Sequence, residues 1–119
     1  MAIPHARPAE VIDVRPLGER LSLAQTRTLI KTDALEVMRL VAPAGKEFPA
    51  HKVAGEITLQ CLEGRIQFRA GTAQGEMKSG QLIYLSGSQE HSLRAEVDSS
   101  LLLTILLGPQ KLTPNAGDS

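Results

Sequence analysis

With 119 residues, a 42% hydrophobic composition and 13 basic side chains against 13 acidic ones, the chain is sized for one domain that can bury its own core. The balanced charge provides no field to attract nucleic acid or an anionic membrane. One Tyr, two Phe and no Trp leave too few rings for a base-stacking surface. The single cysteine, Cys61, excludes an internal disulfide and suits a reducing compartment. Residues Met1 to Pro8 contain no apolar signal run, and the longest apolar run, Leu101 to Leu107, falls well short of the about 20 residues that cross a bilayer as a helix. The expectation is a cytoplasmic protein with neither nucleic-acid nor membrane partners.

Glycines and prolines interrupt short β-prone runs about every ten residues, the punctuation of an all-β sandwich or barrel. The predicted strands are Val11–Val14, Arg27–Lys31, Glu36–Val41, Glu47–His51, Ile57–Leu62, Arg65–Ala70, Gly75–Met77, Gln81–Leu85, Ser92–Ala95 and Ser100–Leu107. Leu17 to Gln25 supports one short helical turn and no more. Glu63-Gly64 is expected to form a tight hairpin, because glycine accepts positive φ; Gly71 to Gly75 should turn a second. The chain divides into an arm with the first strand over residues 1–25, a barrel over 26–108, and a flexible tail over 109–119 that carries Pro109, Pro114, Asn115 and Gly117. In Ile57 to Cys61 alternate side chains point to opposite faces. Leu101 to Leu107 does not alternate and should be covered on both faces, which favours a homodimer.

Two histidines stand in similar frames. Gly45 is followed by His51 and, further on, Gly64; Gly80 is followed by Gln81-Leu82-Ile83-Tyr84-Leu85 and then His91. These frames resemble the two sequence motifs of the cupin family, G-x5-H-x-H-x3,4-E-x6-G and G-x5-P-x-G-x2-H-x3-N, over roughly Thr28 to Leu107. The resemblance implies a cupin-type double-stranded β-helix, or jelly-roll barrel. It also implies that His51 and His91 occupy two of four metal-ligand positions.

The other two positions have changed. Val53 stands at the second histidine position and Ile57 at the carboxylate position, with Glu56 one residue early. Ser86 and Ser88 replace the proline and glycine of the second turn, and Ala95 replaces its asparagine. Tight binding of a transition metal in an N/O site takes three or four protein ligands. Two imidazoles alone predict a weak or absent site for Fe, Mn, Ni or Zn. Glu56 is a tentative third ligand, if a bulge near Ala54-Gly55 swings it inward; otherwise it is a solvated loop-edge residue. Gln60 is either a weak oxygen ligand or pocket hydrogen-bond donor, or a residue facing away from the cavity. Tyr84 is either a pocket hydroxyl or a packed residue with its OH at the edge. Cys61, with no cation beside it in sequence, reads as a small core hydrophobe.

The expected pocket is lined by His51, Val53, Ile57, Leu59, Gln60, Tyr84 and His91, mainly apolar with a few polar groups. The first functional expectation is a small-molecule binding or sensing module. The second is a metal-dependent enzyme of the dioxygenase, isomerase or decarboxylase type that uses His51 and His91. The third is a metal-free enzyme in which one histidine moves a proton. No G-x-S-x-G elbow, phosphate loop or dinucleotide fingerprint supports other chemistries.

Overall fold

The structure, a computed structural model, describes residues 5–107. A 3₁₀ turn over Gly18–Leu23 precedes nine strands: β1 (Arg27–Lys31), β2 (Leu35–Ala42), β3 (Glu47–His51), β4 (Ile57–Glu63), β5 (Arg65–Ala70), β6 (Ala73–Lys78), β7 (Leu82–Leu85), β8 (His91–Ala95) and β9 (Ser99–Leu106). They form two antiparallel sheets, one of five strands in the order β1-β2-β9-β4-β7 and one of four in the order β3-β8-β5-β6. No helix among the described residues is long and apolar enough to cross a membrane.

Period-two alternation decides what lies between the sheets. On β4, Ile57, Leu59 and Cys61 are buried while Thr58 is exposed; on β8, His91, Leu93 and Ala95 are buried while Arg94 is exposed. The main core joins Leu40, Leu59, Cys61, Ile66, Met77, Leu93 and Leu101 across the two sheets. Cys61 is fully buried, its thiol donates to the Glu63 carbonyl at 3.4 Å, and burial pushes the thiol pKa up. It is the core residue expected from sequence. β9 pairs along both edges with β2 and β4, and its apolar run grades from fully buried Leu101 through half-buried Leu102 to Ile105 to exposed Leu106.

Two sequence expectations need correction. Glu63-Gly64 does not close a hairpin: β4 belongs to the five-stranded sheet and β5 to the four-stranded one, so the chain turns a corner between layers. Gly64 has φ +98°, and a Cβ there would drive into the Ser99 side chain and stand 2.7 Å from the Asp98 carbonyl oxygen. The Ser99 hydroxyl that fills this space accepts from Arg65 N–H at 3.1 Å and donates to the Val97 carbonyl at 2.7 Å. By contrast, β5 and β6 do form a hairpin, tighter than expected, because Ala70 pairs with Ala73 across Gly71-Thr72.

The second correction concerns Val11 to Val14, which form no strand. This arm is held instead by side chains. Arg39 on β2 is only 7% exposed and donates to the carbonyls of Val14 and Arg15. Glu63 accepts from the N–H groups of Leu17 at 3.0 Å and Gly18 at 3.1 Å, and from Ser100 Oγ at 2.6 Å. The two charges stand 4.0 Å apart. Burial alone would raise the Glu63 pKa, but the hydrogen bonds from Leu17, Ser100 and Gly18, with the nearby Arg39, outweigh it and lower the value. The tail assigned to 109–119 lies outside the described residues.

Candidate functional site

The site begins with a mismatch in strand length. β3 pairs with β8 so that Phe48 faces Leu93 and His51 faces His91. Three steps along β3 therefore match two along β8, and a bulge at Pro49-Ala50 takes up the extra residue. Without it, His51 and Phe48 would point to opposite faces. Pro49 is tolerated because β3 is an edge strand, where a missing N–H breaks no ladder.

The bulge brings the two imidazoles together, with ring centroids 4.5 Å apart and planes tilted by 58°. His51 is exposed and His91 is 7% exposed. Each ring makes the same local bond: Nδ1 of His51 lies 3.0 Å from the Pro49 carbonyl, and Nδ1 of His91 lies 3.0 Å from the Gln89 carbonyl. A carbonyl only accepts, so Nδ1 carries the proton in both rings. In the neutral rings both Nε2 lone pairs are therefore left for a ligand.

The loop before β8 is fixed by its own polar groups. The Gln89 side-chain oxygen accepts from the N–H and hydroxyl of Ser86 at 3.1 and 3.3 Å. Ser88 N–H donates to the Val53 carbonyl at 2.7 Å, tying this loop to the one that follows His51. Ser88 has φ +64°, a left-handed conformation, at the position where the motif carries glycine.

Beside the histidines lies a second apolar cluster of Ile57, Ala70 and Leu85, packed with Val53, Ile83, Leu103 and Ile105. Ala70 is the partner of His91 on β5. Val53 and Ile57 thus lie with the histidine end, as the motif register implies. Leu59 is 2% exposed and packed deeper, in the main core, so it backs the site instead of lining it.

Three sequence-assigned site residues face elsewhere. Glu56 is exposed before β4, and its carboxylate accepts from the Tyr84 hydroxyl at 2.9 Å. Tyr84 pairs with Thr58 on the outer face of the five-stranded sheet, and the Glu56 hydrogen bond holds its pKa above the ordinary tyrosine range. The bend at Ala54-Gly55 does not swing Glu56 inward, because Ile57 takes the first inward place on β4. Gln60 also points outward, opposite Leu82 and Leu102, and lines a cavity of about 670 Å³ under the arm with Val11, Ile12 and Val14. The tentative set His51, His91 and Glu56 is therefore not assembled. Among the described residues no three His, Cys, Asp or Glu side chains gather as a cation site. Two imidazoles with Val53 and Ile57 in the remaining places do not fit a tightly held divalent metal.

Sequence reading missed the β3 bulge and the Arg39–Glu63 clasp. A lone arginine inside the otherwise apolar stretch Val37 to Val41 was the available signal for the clasp.

No family model matches the chain, and no curated protein matches it. Solved structures do resemble it. A conserved protein of unknown function from Streptococcus pyogenes aligns with TM-score 0.69 and 21% identity, over 90% of this chain and 95% of that one. A cupin superfamily protein from Desulfitobacterium hafniense gives TM-score 0.71 at 15% identity, over 86% of this chain and 99% of that one. An RmlC-like cupin from Shewanella frigidimarina gives 0.67 at 12% identity, over 74% and 79%. The two facing sheets define a jelly roll. The protein has the cupin fold.

Proposed function

We propose that the protein is a small-molecule binding or sensing module whose ligand is held at the histidine end of the barrel without a tightly bound metal. The observation that carries this reading is the paired geometry of His51 and His91. Two imidazoles 4.5 Å apart, each with its Nδ1 engaged on a backbone carbonyl, leave their Nε2 atoms for a ligand. They suit a ligand with O–H or N–H donors at one end and an apolar body for half-buried Val53, which the buried Ile57 and Leu85 back from behind. Two such hydrogen bonds contribute about 1–3 kcal/mol in total, so the apolar part must supply most of the affinity.

A second reading, a metal-dependent cupin enzyme, is favoured by one feature. A histidine whose Nδ1–H is held by a carbonyl has its Nε2 oriented as metal-ligating histidines usually do. Metal content by mass spectrometry on untagged protein, beside the His51→Ala/His91→Ala double variant, separates the two. The binding reading expects substoichiometric metal in both, and an organic ligand seen by native mass spectrometry only on the parent. Near one equivalent of Fe, Mn, Ni or Zn, lost in the double variant, overturns it in favour of the enzyme.

A further inference from the structure

The outer face of the four-stranded sheet holds a groove of about 560 Å³ on the other side from the histidines. Strand register sets out its side chains in rows. One row runs Glu47, Arg94, Gln67, Glu76; the next runs Ser92, Arg69, Gln74. In the first row every charge has a partner of opposite sign. Arg94 lies 3.8 Å from both Glu47 and Glu96, while Glu76 is shared by Arg65 at 3.1 Å and Lys78 at 4.0 Å.

The second row differs. Among the described residues the Arg69 guanidinium makes no ion pair and no side-chain hydrogen bond, and its cross-strand neighbours Ser92 and Gln74 are neutral. The Ser92 hydroxyl and the Gln74 side-chain amide also have no hydrogen-bond partner among the described residues, and all three line the groove. Directly opposed side chains on a sheet stand about 5 Å apart at Cβ, so a ligand about 10 Å long can span Ser92, Arg69 and Gln74. An arginine flanked by acids would find its anion within the protein. Here the flanking groups are hydrogen-bonding neutrals, so the charge is left for an external anion, and the neutrals can pair with hydroxyls on the same ligand. Phe48 and Phe68 form part of the groove floor, half-buried and packed against the core.

We propose that this groove binds a small hydroxylated organic anion, with Arg69 on its carboxylate or phosphate and Ser92 and Gln74 on its hydroxyls. The site is open to solvent, so affinity is in the millimolar range. It is independent of the histidine end.

The test is an amide-shift NMR titration with gluconate, glycerol 3-phosphate and inorganic phosphate, with sorbitol as the uncharged control. The expected result is saturable shifts at Arg69, Gln74 and Ser92 with one or both organic anions, and weaker shifts with inorganic phosphate. Comparing gluconate with glycerol 3-phosphate shows which acid is taken. Arg69→Gln should weaken binding about five- to tenfold, while Arg65→Gln should leave it unchanged. Three outcomes overturn the proposal: no saturation by about 50 mM ligand, equal binding of sorbitol, or Arg65→Gln weakening binding as much as Arg69→Gln.

Discussion

Ser88 places a side chain in left-handed backbone, φ +64°, where glycine is free to go. Its neighbours hold it there: its N–H is bonded to Val53, and Gln89 caps Ser86. The loop holds this conformation without a glycine because the neighbouring loop over-determines it. Ser88→Gly should relieve the strain and raise stability by about 0.5 kcal/mol, a melting-temperature gain of about 2–4 °C. Calorimetry checks this, and a fall in melting temperature would mean that the hydroxyl matters more than the backbone. Val53 and Ile57 join one apolar cluster with Ala70 and Leu85 and extend the core toward the histidine end.

At the scale of elements, the arm is clasped by charge and not by a β ladder. Arg39 holds the carbonyls of Val14 and Arg15, and Glu63 holds the amides of Leu17 and Gly18. The folded Glu63 has a lowered pKa, so its contribution to stability is present above the unfolded value of about 4.3 and is lost as pH falls through the folded value. Denaturant melts of the parent should lose stability across that acidic window. Glu63→Gln should be less stable by about 3 kcal/mol near neutral pH, because it leaves a buried arginine uncompensated, and its profile should be flatter in acid. Equal stability of variant and parent at neutral pH would show that the clasp contributes nothing net. The β3 bulge is the other decisive element, since one extra residue turns His51 toward His91.

For the whole molecule, the order β1-β2-β9-β4-β7 means that the last strand must insert between two earlier ones. β9 pairs along its full length with β2, more than fifty residues before it, as well as with β4. Closing such loops before contacts repay the entropy is slow, so folding should fall in the millisecond-to-second range. Leu101, fully buried where β9 meets β2 and β4, should cost about 2–5 kcal/mol when changed to alanine. Stopped-flow refolding of parent and Leu101→Ala checks both; submillisecond refolding would mean that local hairpins carry the barrier.

Much of this was legible in the chain itself. Alternation from Ile57 to Cys61, the glycine spacing and the frames of His51 and His91 determined strands, fold class and the histidine pair, because period two and positive-φ turns are local properties written residue by residue. Only the tertiary structure decided which strand joined which sheet, and so that Gly64 turns a corner between layers and not a hairpin. It also decided where side chains off the core ended up. Glu56 turned out to Tyr84, Gln60 went under the arm, and Val11 to Val14 formed no strand while Arg39 and Glu63 held the stretch from Val14 to Gly18. The reason is physical: a polar side chain goes wherever a distant partner satisfies it, and that partner's position depends on how the sheets close.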